Sequence, residues 1–399
     1  GESVLDSAIR LVKELTHGHI LPVQGPPGTG KTYTAAHMVC ELVRSGKKAG
    51  ITAQSHAVIE NLMNQVHRVN EEKYHLKMDM IKQNRSGEDG NDLPPGMRGM
   101  ASEDIAFEKS FDLIGGTSFM WAREEMRNKV DVLFIDEAGQ FALADAVGAS
   151  HSAASLVLLG DPQQLENVTQ GVHPPEIEVS VLGYWLGEHK VIPGDRGLFL
   201  ENTYRMADAV NKFISETFYE GKLHTIPELK HQRIISKTAL NGSGIRFIPC
   251  MHTGNQNRSA EEVELIRSLI DALLQDGAWI NKRNQKQQLT ASDILIVAPY
   301  NAQVNDLKVA LPGLSIGTVD KFQGREAPIV IYSMTTSSPE DAPRGMEFLY
   351  SLNRLNVAVS RAQCLAVIVA SPALFEISCR TPQQMRLANA FCRFLEMAG

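Results

Sequence analysis

Gly25-Pro26-Pro27-Gly28-Thr29-Gly30-Lys31-Thr32 fits the pattern GxxxxGK[ST], and it lies between a short apolar run, residues 20–23, and a helical pattern from Lys31 to about Arg44. Strand, glycine-rich turn and helix in that order make a phosphate cradle. The glycines let backbone N–H groups turn inward around phosphate oxygens, and the start of the helix adds its positive dipole end. On this reading Lys31 reaches the β- and γ-phosphates of a nucleoside triphosphate, and the Thr32 hydroxyl binds Mg²⁺. Such a cradle also needs a carboxylate for the metal and a base for water. Val132-Leu133-Phe134-Ile135 is an apolar strand running into Asp136-Glu137-Ala138-Gly139-Gln140. An acid at the C-terminal end of such a strand faces the crevice where open α/β sheets bind ligands. Asp136 is therefore expected to hold Mg²⁺, and Glu137 to position and deprotonate the attacking water.

Outward from these two motifs, residues 49–53, 113–115 and 155–159 read as further buried strands, and the segment after Ser55 has helical periodicity. Strands separated by helices point to an α/β fold with a parallel sheet covered on both faces. Residues about 70–111 carry mixed charge and the turn-dense run SGEDGNDLPPG, which reads as a mobile surface insertion without a motif. Between residues 166 and 197, Pro174, Pro175, Pro193 and several glycines interrupt the pattern. The alternation then restarts, with strands expected at 246–248, 294–297, 315–318, 329–334 and 366–369 and a long helix over 259–275. The length of 399 residues allows two domains with separate cores, so the expected organisation is two tandem α/β units, 1–199 and 200–399.

Composition excludes other classes. With 43% hydrophobic and 21% charged residues the chain is neither disordered nor fibrous. It has no run of 18 apolar residues, so neither a membrane span nor a membrane partner is expected. It opens on Gly-Glu-Ser without a basic-then-apolar leader, and reads as a trimmed start of a cytoplasmic protein. Cys40, Cys250, Cys364, Cys379 and Cys392 lie far apart, which suits reduced thiols rather than a zinc or iron–sulfur site. The net charge is −7, with 18 basic and 27 acidic side chains in residues 1–199 and 21 and 19 in the remainder. Any contact with a polyanion must therefore rest on local groups rather than bulk charge.

The order of motifs resembles a superfamily 1 helicase of the 1B branch. The resemblance rests on GPPGTGKT (25–32), ITAQSHAVIENL (51–62), GGT (115–117), DEAGQ (136–140), GDPQQL (160–165), TYRM (203–206), VAPYNAQ (297–303), GTVDKFQGREAPIV (317–330) and LNRLNVAVSRA (352–362). RGLFL (196–200) and PRGMEFLYSLNRLNVAVSRA (343–362) further resemble bacterial proteins that fuse a RecB-like nuclease to such a helicase; no nuclease motif is visible here, so a nuclease module or partner would lie outside this chain. The resemblance implies two tandem RecA-like domains with ATP and Mg²⁺ in the cleft between them, closed by ATP binding and opened by hydrolysis. It places Gln164 at the γ-phosphate or lytic water and Arg205 and Arg361 at two arginine-finger positions. Tyr204 would stack on adenine, Glu326 would accept from the ribose hydroxyls, and Gln323-Gly324 would couple the nucleotide to the strand-binding face. Two departures stand out: residues 4–8 (VLDSA) lack the upstream glutamine that reads adenine in this family, and TYRM is followed by Ala207-Asp208 rather than His-Pro.

The same resemblance implies a partner. Single-stranded nucleic acid, DNA in preference to RNA, would cross both domains on Ser55, His56, Thr117, Pro299, Tyr300 and Thr318. Hydroxyl and amide contacts to phosphate set register without reading sequence, so binding should be sequence-tolerant and salt-sensitive. The expected function is ATP-driven 5′→3′ movement along a single strand, against a nucleotide-switched clamp that grips without unwinding.

Overall fold

The computed structural model describes residues 2–85, 93–165, 179–322 and 324–398. The chain forms two compact units. The first comprises Gly1–Pro26, Gly30–Pro162 and Glu166–Leu200; the second comprises Pro27–Thr29, Gln163–Leu165 and Glu201–Gly399.

The strands of the first unit are β1 (Ile20–Gln24), β2 (Ala49–Thr52), β3 (Met80–Gln83), β4 (Met97–Met100), β5 (Leu113–Gly115), β6 (Val130–Ile135), β7 (Ala153–Gly160) and β8 (Leu198–Phe199). They build one sheet in the order β4-β3-β5-β2-β6-β7-β1-β8, every neighbour parallel. Alternation along each strand sends successive side chains to opposite faces. Val132 and Phe134 of β6 join one core with Met38 and Leu42 of the helix Lys31–Arg44 and Leu62 of the helix His56–Val69. Leu133 and Ile135 join a second core with Trp121, Ala149 and Leu182 on the other face. Both faces are thus covered by helices, which is why these strands read as continuous apolar runs.

One expectation is corrected. The segment about 70–111 is not a surface insertion, because β3 and β4 extend the sheet and Met80 and Ile81 are buried. The charge that makes it read as surface, Lys82, is buried in β3 and pairs with Glu60 at 2.7 Å. Residues 86–92, which hold most of the turn-dense run, lie outside the described residues, as do Pro174 and Pro175.

The second unit opens with a short parallel pair, β9 (Asn202–Thr203) and β10 (His224–Thr225). Its remaining strands are β11 (Arg233–Ile235), β12 (Gly244–Pro249), β13 (Ala278–Ile280), β14 (Lys286–Gln288), β15 (Ile294–Val297), β16 (Ser315–Gly317), β17 (Ala327–Ser333) and β18 (Ala362–Ala370). The main sheet is parallel in the order β12-β18-β17-β15-β16. Ile266, Ile270 and Leu273 of the helix Ala260–Asp276 pack on Ile294, Ile296, Ile329, Ile331 and Val367. A separate antiparallel sheet, β11-β13-β14, ends in a hairpin that the sequence reading does not anticipate. All five cysteines are free, and burial pushes the Cys40 and Cys364 thiols up to about 12, so they stay protonated. Among the described residues no helix is long and apolar enough to cross a membrane.

Candidate nucleotide and strand sites

In the first unit the chemistry gathers where the parallel strands end. β1 finishes at Gln24, and Gly25 N–H donates to Gly160 O at 2.8 Å, tying the start of the cradle to the end of β7. The helix then begins at Lys31 after Gly30, whose φ of 78° is the left-handed conformation glycine adopts without a Cβ penalty. Its first N–H groups have no partner one turn earlier, so Lys31 and Thr32 open a helix end suited to an anion. Lys31 Nζ lies 3.3 Å from Glu137 Oε2 with its side chain only 13% exposed. Burial works to lower the lysine pKa, but the carboxylates of Glu137, Asp136 and Asp161 outweigh it and hold the ammonium above its ordinary value.

Asp136 follows β6 directly and is 2% exposed. Burial first and the Glu137 carboxylate second push its pKa up to about 6. Glu137 takes φ 52°, a left-handed conformation that costs a non-glycine residue about 1–3 kcal/mol. Its neighbours hold it there: Ala138 N–H donates to Leu159 O at 2.7 Å, and Glu137 N–H to Asp136 Oδ1 at 2.8 Å. The two turns touch so closely that a Cβ on Gly160 would meet Gly139 N at 2.6 Å. The glycines of DEAGQ and GDPQQL are therefore a packing requirement as well as a motif. Thr32 and Asp136 offer the oxygen donors that Mg²⁺ takes. Three acids around one lysine leave an excess of negative charge that a divalent cation would offset.

Sequence reasoning missed two residues here. Asp161 is buried just beyond β7, and its field reaches Lys31. Gln24, fully buried, donates to Asp161 Oδ1 at 3.4 Å and to Lys190 O at 2.9 Å, while its Oε1 accepts from Ile192 N–H at 2.8 Å. An amide ending an otherwise apolar strand was the available signal.

In the second unit, Tyr204 N–H donates to Gly28 O at 2.7 Å, and a Cβ on Gly28, at φ 77°, would meet the Arg205 side chain at 2.5 Å. Arg205 Nε pairs with Glu326 Oε2 at 2.6 Å, and one of its terminal nitrogens donates to Ser360 O at 3.2 Å. Burial works to raise the Glu326 carboxyl, but Arg205 outweighs it and the pKa lies below the ordinary glutamate value. Arg361, 3% exposed, stands between the helix Leu352–Ser360 and β18 and donates to Gln164 Oε1 at 3.3 Å. Tyr204 is 55% exposed. Gly324 lies in the turn before β17 with φ 82°, and Gln323 is outside the described residues.

The residues expected to touch a strand separate into two sets. Ser55, at the end of β2, is the N-cap of its helix, its hydroxyl accepting from Val58 N–H at 3.3 Å; His56 follows, half-buried. Thr117, beyond β5, donates through its backbone N–H (2.8 Å) and hydroxyl (3.2 Å) to Gln83 Oε1. In the second unit, Pro299 and Tyr300 lie beyond β15, and Thr318 beyond β16, all at C-terminal strand ends. Glu326 and Arg361 precede β17 and β18, at the opposite end of the same sheet. Tyr300 is buried, its ring centroid 5.6 Å from that of Phe348.

Two family models described as AAA domains match residues 8–177 and 188–373. Over 88% of its length the chain is 24% identical to the DNA polymerase alpha-associated DNA helicase A of Schizosaccharomyces pombe, and over 96% it is 24% identical to the DNA replication ATP-dependent helicase/nuclease JHS1 of Arabidopsis thaliana. The human DNA replication ATP-dependent helicase/nuclease DNA2 is 25% identical over 86% of the chain. The chain spans 60%, 29% and 34% of these relatives' own lengths. These relatives are eukaryotic, so the likeness to bacterial nuclease fusions rests on the motifs alone. An AAA domain model thus matches each half of the chain, and nearly its whole length is similar to proteins named as replication helicases.

Proposed function

We propose that this chain is the motor of an ATP- and Mg²⁺-dependent helicase of the 1B branch that moves 5′→3′ along single-stranded DNA. The observation that carries the reading is the convergence of Lys31, Asp136, Glu137 and Asp161 at the strand ends beside the phosphate cradle. Thr32 and Asp136 would hold Mg²⁺, which when bound neutralises phosphate charge. The cradle amides and Lys31 orient the triphosphate. Glu137 is then free to take the proton of the attacking water, and its strained backbone holds it at that task. Arg205 and Arg361 are assigned to the charge that develops on the transferring phosphoryl group, and Gln164 to the water or γ-phosphate. Glu137, Arg205 and Arg361 are all present, which favours a turning-over motor over a static clamp. The relatives' printed activities favour DNA over RNA, and their greater length leaves room for a nuclease domain in a longer protein. ATPase assays with single-stranded DNA and RNA of equal length test the reading. Stronger stimulation by DNA is expected; equal or stronger stimulation by RNA would move the substrate class, and no stimulation by either would favour the clamp.

A further inference from the structure

The hairpin of β13 and β14 lines a cavity of about 270 Å³ that lies wholly within the second unit. One wall is Tyr204, Arg205 and Glu326; the facing wall comes from the hairpin. The pairing Trp279↔Gln287 and Ile280↔Lys286 fixes which side chains share a face. Trp279, Asn281, Gln285 and Gln287 alternate onto one face, and all four line the cavity. Ala278 and Ile280 point the other way and are buried. Trp279 also packs against the core, while Asn281, Gln285 and Gln287 bring three amides, with Lys282 and Arg283 beside them, to the cavity that the exposed Tyr204 lines. Two buried polar atoms of lining residues, Trp279 Nε1 and Gln363 Oε1, have no hydrogen-bond partner among the described residues.

The ligand class follows from the walls. Tyr204 N–H donates to Gly28 O at 2.7 Å, and both residues belong to the second unit. A cavity near the small end of ligand pockets, roughly 300 Å³, suits one nucleoside. We propose that the hairpin is the nucleobase reader: Gln285 and Gln287 recognise the adenine edge while the base lies on Tyr204. A side-chain amide donates to adenine N7 and accepts from N6, whereas guanine presents two acceptors and leaves the amide oxygen unpaired. The hairpin would thus supply the selection that the missing upstream glutamine provides in relatives. This inference rests on the nucleotide reading of Tyr204 and Glu326 given above.

Competition against a fluorescent ATP analogue tests it, using ATP, GTP and inorganic tripolyphosphate on the whole chain. The parent should favour ATP over GTP by about tenfold or more, the scale of one good amide–base pair. Gln285→Ala/Gln287→Ala, at two exposed positions where substitution leaves the fold intact, should bring ATP affinity to within about threefold of GTP and leave tripolyphosphate unchanged. Unchanged discrimination in the double variant, or none in the parent, overturns the hairpin's role. So does a loss confined to single-stranded DNA affinity, which would make the hairpin a strand contact. Tyr204→Ala separates the two levels. If it weakens ATP and GTP but not tripolyphosphate, the nucleotide site stands whatever the hairpin does; if it changes nothing, the underlying site assignment fails.

Discussion

Glu137, the proposed general base, sits on a backbone conformation that few non-glycine residues take, φ 52°. The strain persists because Asp136, Leu159 and the paired glycine turns fix the residues around it. Glu137→Gln keeps size and hydrogen-bonding capacity but cannot take a proton. We expect turnover to fall by about 10²–10⁴, the usual contribution of a general base, with ATP binding retained. Single-turnover hydrolysis beside equilibrium ATP binding checks this, and hydrolysis within a few-fold of the parent would remove Glu137 from the role. As proposed arginine fingers, Arg205 and Arg361 would act on charge that exists only in the transition state, so Arg205→Ala and Arg361→Ala should each lower kcat by about 10³ or more and change ATP affinity little. Equal losses in kcat and affinity would make them ordinary binding residues.

At the scale of elements, a buried network braces the loop beyond β17. Glu262, in the first turn of its helix and fully buried, accepts from the Ser333 hydroxyl and from Thr335 N–H, and His252 Nε2 lies 3.1 Å away. Thr335 sits at φ 73°, and its loop shares a sheet end with Pro299 and Thr318. Glu262→Ala would strand two buried donors, each costing roughly 1–3 kcal/mol, so a loss of about 3 kcal/mol is expected in denaturant unfolding. Burial raises the Glu262 pKa above its ordinary 4.5, against the hydrogen bonds from His252, Ser333 and Thr335. The folded state therefore binds this proton more tightly than the unfolded one. Its contribution to stability is complete below pH 4.5 and fades as pH rises through the folded value. Relative to Glu262→Gln, which cannot titrate, the parent should lose stability on that rise; a pH-independent difference would contradict the assignment. Elements with continuous apolar runs, such as β6 and β15, were legible because both faces are buried. β3 was not, because its strand carries Lys82, whose charge is neutralised by Glu60 only once the fold exists. The hairpin was not either: KRNQKQQ shows no apolar alternation, since its amides line a cavity and the buried apolar side chains all lie in the three residues 278–280.

Across the whole molecule, each unit carries its own parallel sheet and core, and the motifs fall at strand ends rather than within strands. That placement explains why the nucleotide site was readable. Glycine, lysine and carboxylate positions are set by local backbone geometry, which leaves a pattern in a few consecutive residues. Gln24 and the hairpin amides act through tertiary neighbours and leave at most a single out-of-place amide. The proposed activity is ATP-driven movement toward the 3′ end of single-stranded DNA. Streptavidin displacement from biotinylated oligonucleotides tests it most directly, because it needs no duplex-splitting element. Displacement from the 3′ end, dependent on ATP and abolished by Glu137→Gln, is the predicted result. Displacement from the 5′ end, or strand-stimulated hydrolysis with no displacement from either end, would contradict it.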